Sequence, residues 1–189
     1  ADIHRYFVAI TEVVLMEIRY YTCDVFTDRP FGGNQLAVFP DATNIPEHIL
    51  QSIAKEFNFS ETTFVYPPDN PNHTKRVRIF TPANELPFAG HPTIGTAITL
   101  ATIGAIPTQG IETKIIFEEG VGNVPVTIRL EDDKPPFAQL TAAKLPEFDD
   151  HVPSVESLAT MLALPRHELD DGRFQFGMFQ LDFRFCMSR

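Results

Sequence analysis

Between Thr93 and Ile103 the chain presents no polar face, because Ile94, Gly95, Ala97, Ile98, Leu100, Ala101 and Ile103 alternate only with threonines. A helix that is apolar on all sides belongs in a core, so this stretch predicts a buried helix. Gly90-His91-Pro92 comes directly before it. Proline is favoured at the first helical position and glycine permits a sharp turn, which places the helix start at His91 or Pro92. The first turn of such a helix, opening toward a cleft, carries unpaired N–H groups and a partial positive charge. It is a ready site for a carboxylate, and His91 would stand beside that anion.

The 189 residues, 43% hydrophobic, suffice for one ordinary domain or for one lobe and part of another. Twenty-five acidic residues against 15 basic ones, a formal charge of −10, argue against nucleic acid or an anionic membrane as partner and favour a small ligand. Cys23 and Cys186 form neither a CxxC pair nor a Cys/His metal spacing, so no disulfide framework or zinc site is expected. No apolar run approaches the roughly 18 residues of a membrane span, and no basic region followed by a cleavable apolar stretch opens the chain. A cytoplasmic protein is the expectation.

Met16, read as a natural start after a mixed 1–15 extension, precedes a strand from Ile18 to Phe26. Pro30 and Gly32-Gly33 mark a turn, and Gln35 to Phe39 reads as a second strand. Asn44 with Glu47 three residues on suggests a capped helix, carried by Ile49, Leu50, Ile53, Ala54 and Phe57 and stopped at Asn58. Thr62 to Tyr66 and Val77 to Phe80 flank a proline- and asparagine-rich turn and read as a hairpin. After the central helix come strands at Thr113 to Phe117 and Val124 to Leu130, a break near Glu131 to Pro136, a strand at Phe137 to Leu140 and a helix near Val155 to Leu164. The tail from Arg173 to Arg189 alternates apolar residues like strands without partners, an edge that invites association.

Three segments, DVFTDRPFGGNQLAVF at 24–39, FNFSETTFV at 57–65 and RIFTPANELPFAGHPTIGTA at 78–97, together resemble the PhzF family of phenazine-biosynthesis proteins. The resemblance implies an α+β, diaminopimelate-epimerase-like fold: two similar lobes, each a curved antiparallel sheet around a buried helix, with the active site between them. Residues 16–133 would be the first lobe and 134–189 the truncated start of a second, with a divergent tail. The implied activity is isomerisation of the trans-2,3-dihydro-3-hydroxyanthranilate type, by proton movement without cofactor or metal. In the S-E-T motif the family's acid/base is the glutamate, here Glu61. It lies where a helix ends and an apolar strand begins, a setting whose partial burial suits proton transfer between two carbons. Gly90 and His91 match the family's G-H-P segment, implying substrate binding.

Ser60 could orient Glu61 or bond the ligand, although serine before a strand is commonly a turn former. Gly32, Gly33 and Asn34 match a family loop, but a Gly-Gly-Asn turn has sufficient structural reason and is read as architectural. Asp132-Asp133 and Asp149-Asp150-His151 sit in polar, proline-flanked loops where solvated charge is explanation enough, so no metal site is expected. Relatives continue for about a hundred residues where this chain runs into its tail, and the resemblance implies that a D-P-A-T-G-S-type carboxylate-binding loop and an aspartate facing the glutamate are missing. The expectations are therefore two: an isomerase acting on a small cyclic or amino-acid-like carboxylate, or a catalytically silent truncated member that binds a ligand or partner. A homodimer could supply a second wall. A racemase with paired cysteines is disfavoured, since neither cysteine lies in a matching motif.

Overall fold

The computed structural model describes residues 17–132, 134–141, 147–148, 153–169, 176–180 and 184–188. The 1–15 extension, Met16, Asp133 and the 149–151 cluster lie outside them. The chain divides into two compact units, 1–141 and 142–189.

The first unit runs β1 (Tyr21–Val25), β2 (Asn34–Phe39), α1 (Glu47–Phe57), β3 (Glu61–Tyr66), β4 (Lys75–Phe80), β5 (Glu85–Leu86), α2 (Gly90–Thr102), β6 (Glu112–Glu119), β7 (Gly122–Arg129) and β8 (Phe137–Leu140). One sheet takes the order β1-β2-β3-β4-β6-β7-β8, with β5 paired to β4. The end strands of that order, β1 and β8, both contact α2, which requires the sheet to curl around the helix. The unit is thus the expected α+β lobe around a buried helix. Its sheet is mixed, however, and not antiparallel throughout. β2 with β3 and β4 with β6 pair in parallel, because α1 and α2 each serve as the crossover between them. Beyond the segment from Glu131 to Pro136, β8 pairs antiparallel with β7 and extends the same sheet.

Strand alternation sorts the side chains between two helices. Leu36, Val38, Val65, Val77 and Ile79 join Ile94, Ala97 and Leu100 of α2 in one core cluster. The residues between them, Ala37, Phe39, Phe64 and Phe80, pack with Leu50 and Ala54 of α1 on the opposite face. Phe64 stacks on Phe39 with centroids 4.9 Å apart and meets Phe80 edge-on at 5.4 Å. Three of the four threonines of α2 are buried too, and each finds a polar partner: Thr96 the Thr63 hydroxyl at 2.8 Å, Thr99 the Cys23 Sγ at 3.7 Å, Thr93 the Ala89 carbonyl at 2.8 Å. Burial pushes the Cys23 thiol pKa up, against the weaker opposing pull of the Thr99 hydrogen bond, which favours the inert thiol over the thiolate.

At Gly95 the helix lies close against the sheet. A Cβ there would lie 2.6 Å from Val25 Cγ2 and 2.7 Å from Leu36 Cδ2, both on buried side chains. Gly95→Ala is therefore expected to destabilise the fold by about 1–3 kcal/mol through overpacking. That outweighs the gain of up to about 1 kcal/mol that alanine brings to a helix interior. Urea unfolding reads the difference, and a stabilised variant would contradict this packing.

Helix α1 corrects the expected cap at Asn44. Ile45 is buried and closes a turn onto the Ala42 carbonyl at 3.0 Å, Pro46 is extended at ψ 132°, and the helix opens at Glu47 without a side-chain cap. Its stop is as expected, with Asn58 left-handed at φ 53°. The hairpin expected around the proline- and asparagine-rich turn is β3–β4.

The second unit contains β9 (Glu147–Phe148), α3 (Val155–Leu162), α4 (Arg166–Leu169), β10 (Phe176–Gln180) and β11 (Arg184–Ser188). Ser154 caps α3 by accepting from the Ser157 N–H at 3.2 Å, and Ala163 ends it in a left-handed turn at φ 53°. The tail strands expected to lack partners have them: β10 pairs antiparallel with β11 and with β9.

Candidate active site

The site gathers at the mouth of α2, where three segments meet: the start of β2, the start of β3 and the first turn of the helix. Parity explains the meeting. Asn34 on β2 shares the face of Leu36 and Val38, and Glu61 on β3 shares that of Thr63 and Val65, so both are directed toward α2. The helix begins at Gly90, slightly before the expected start, after Ala89 in an extended conformation that caps nothing by side chain. Pro92 consequently takes the third helical position, where its missing N–H would have had no intrahelical acceptor in any case. The first intrahelical bond is Thr93 N–H to the Ala89 carbonyl at 3.3 Å, leaving the N–H groups of Gly90 and His91 at the open end. A Cβ built on Gly90 would meet nothing within 4 Å, so this end borders free space.

His91 Nε2 lies 3.0 Å from Glu61 Oε2, with the side chains 10% and 16% exposed. The two atoms lack hydrogen-bond alignment, and neither has another partner among the described residues. Leaving a buried polar atom unpaired costs about 1–3 kcal/mol, and such atoms concentrate where a ligand or reaction needs them. Burial lowers the His91 pKa, opposed by the Glu61 carboxylate and the Gln35 main-chain carbonyl, so the ring is neutral near neutral pH. An unprotonated imidazole beside a half-shielded carboxylate can hold or pass a proton and can accept or donate a hydrogen bond to a substrate atom.

The structure brings Ser60, Glu61, Gly90 and His91 together, and Asn34 joins them unforeseen. Its Oδ1 accepts from the Ser60 hydroxyl at 2.6 Å, and its Nδ2 lies 3.1 Å from His91 Nδ1. The preceding loop is held tightly. A Cβ on Gly33 would fall 2.3 Å from the Val25 carbonyl oxygen, so glycine is obligatory there and the architectural role expected for it has a steric cause. In the same loop the exposed Phe26 and Phe31 take left-handed φ values of 63° and 62°, a strain uncommon for such residues.

A second buried carboxyl, Glu119 at the end of β6, was not signalled by the sequence. It is 8% exposed, bonds Thr93 Oγ1 at 2.7 Å through Oε1, and leaves Oε2 unpaired. Burial pushes its pKa up to about 7. Only the strand pattern could have pointed to it, since a glutamate facing the buried helix breaks the apolar alternation of β6.

Residues 23–185 match the family described as phenazine biosynthesis-like protein, PhzC-PhzF. An uncharacterised isomerase of Mesorhizobium japonicum is 43% identical over 150 residues, covering 79% of this chain and 48% of that protein. The trans-2,3-dihydro-3-hydroxyanthranilate isomerase of Pseudomonas aeruginosa is 42% identical over 119 residues, 61% of this chain and 39% of that protein. Among solved structures, the Bacillus anthracis phenazine biosynthesis protein of the PhzF family superposes with a TM-score of 0.77 at 28% identity, over 92% of this chain and 56% of that one. The chain spans about half the length of the relatives it matches.

Proposed function

This chain belongs to the phenazine biosynthesis-like, PhzC-PhzF family, and from that premise we propose that it is an isomerase that moves a proton on a small cyclic or amino-acid-like carboxylate. The substrate class is that of trans-2,3-dihydro-3-hydroxyanthranilate, the compound named for the Pseudomonas aeruginosa relative. Glu61 is the general acid/base. It takes a proton from one substrate carbon and returns it to another, so that the reaction is redox-neutral and closes without a co-reactant. The substrate carboxylate lies against the N–H groups of Gly90 and His91 at the helix mouth, where the helix dipole favours an anion. The observation that carries this reading is the shielded Glu61–His91 pair, two buried polar atoms 3.0 Å apart without a hydrogen bond.

In this reading the lobe built on residues 16–133 is one wall of the site. A reacting carbon must be shielded from water and held on both sides, which gives a second wall physical importance. A partner copy or further chain could provide it. A silent binding module is the second reading, favoured by the free Gly90 and His91 N–H groups at the helix mouth, which suit an anion whether or not a reaction follows.

The deciding experiment incubates the purified chain with trans-2,3-dihydro-3-hydroxyanthranilate in deuterated water and follows substrate mass. Deuterium incorporation is the expected result. Binding without incorporation by the folded chain supports the module, and a folded chain that neither binds nor exchanges overturns both readings.

A further inference from the structure

Ser60, Asn34, His91 and Glu61 form one polar chain, with contacts of 2.6 Å, 3.1 Å and 3.0 Å in that order. An amide nitrogen has only hydrogens to offer, so the ring nitrogen opposite it, His91 Nδ1, must be the bare acceptor. The one proton of the neutral ring then resides on Nε2. Two features fix which way round the Asn34 amide lies. The 2.6 Å contact with Ser60 suits an O–H···O bond and is short for N–H···O. Reversing the amide would also draw the ring proton to Nδ1 and leave two acceptor atoms, Nε2 and Glu61 Oε2, 3.0 Å apart with no proton between them.

We propose that Asn34 is a positioning residue whose amide, oriented by Ser60, holds His91 in the Nε2–H tautomer, with the proton-bearing nitrogen 3.0 Å from Glu61 Oε2. The inference builds on the proposed roles of Glu61 and His91, yet it concerns a proton whose place can be measured without substrate. It also divides the chemistry. In this tautomer His91 presents a donor to the cleft and no acceptor, so proton abstraction falls to Glu61 while His91 steadies a substrate oxygen or the carboxylate itself. The other polar group facing the ring is the Gln35 main-chain carbonyl, which also accepts from Ser60 at 3.3 Å.

Long-range nitrogen–proton NMR spectra of the labelled full chain near neutral pH report the tautomer directly. Among the six histidines, the signals lost in His91→Gln identify His91. The expected pattern is an unprotonated Nδ1 and a protonated Nε2. Asn34→Asp keeps the side chain's shape but puts an acceptor at Nδ1, so the ring proton should move to Nδ1 and His91 should titrate at higher pH. Ser60→Ala frees the amide to turn, and a mixture of tautomers is expected. An Nδ1–H pattern in the unaltered chain overturns the proposal, and so does an unchanged His91 pattern in a folded Asn34→Asp chain. The spectrum of the unaltered chain decides the matter even where a variant fails to fold. With turnover as a further readout, Asn34→Asp should lower kcat about 10²-fold with little change in KM. Correct tautomers with no exchange in any chain would sink the isomerase reading alone.

Discussion

Glu61→Gln is expected to reduce isomerase turnover by about 10²-fold or more while leaving the fold at least as stable. The two halves of this expectation have one cause. The Glu61 carboxylate is largely shielded, and its Oε2 has no hydrogen-bond partner, so the folded chain carries an unfavourable buried group. Glutamine has the same shape without the charge, which removes part of that cost. It cannot take a proton from carbon, which removes the chemistry. Deuterium incorporation into the substrate measures the first effect, and thermal unfolding the second. Wild-type exchange in a folded Glu61→Gln chain would move the base elsewhere, to His91 or to a group outside this lobe. A large loss of stability would instead make Glu61 a structural residue. Stability given up at a reacting centre and regained by an inert isostere is the usual signature of a functional site.

The central helix was legible because nothing in 93–103 suits water, and no tertiary knowledge is needed to see that. What the helix threonines do was not legible. Their partners, Thr63, Cys23 and Glu119, arrive from β3, β1 and β6, and only the curl of the sheet brings them near. The same holds for the parallel pairings, which depend on where each crossover returns the chain and not on any strand's own pattern. Asn44 misled because its capping spacing is real, while burial of Ile45 and the extended Pro46 delay the helix to Glu47. Glu61 and His91 stood out through their motifs. Asn34 did not, since Gly-Gly-Asn is sufficiently explained as a turn, and the clue was strand parity: it lies two residues before Leu36, on the face that meets α2.

Glu119→Gln is expected to be no more stable than the unaltered chain near pH 5 and clearly more stable near pH 8. Thr93 has one hydroxyl proton and two neighbours, the Ala89 carbonyl at 2.8 Å and Glu119 Oε1 at 2.7 Å. If the hydroxyl donates to Ala89, the other contact is satisfied only when Glu119 itself is the donor, as a neutral carboxylic acid. Burial favours the same form, raising the pKa from 4.5 to about 7. The native chain thus holds a proton that the unfolded chain releases, and the linkage sign follows. The stabilisation is complete below the unfolded value of 4.5 and is lost as pH rises through about 7. The shift corresponds to about 3 kcal/mol, or roughly 5–10 °C in Tm for a chain of this size. The glutamine amide donates to Thr93 at every pH, so the variant does not suffer this loss. All other titrating groups are common to both chains, and the difference in Tm between them, followed from pH 5 to pH 8, isolates Glu119. A difference that stays flat would mean that the carboxyl is ionised throughout and that Thr93 donates to it. A difference of opposite slope would require a cation facing Oε2. Because Thr93 lies in the first turn of α2, ionisation of Glu119 would also place negative charge beside the end of the helix that carries His91, weakening its hold on an anionic substrate over the same pH range.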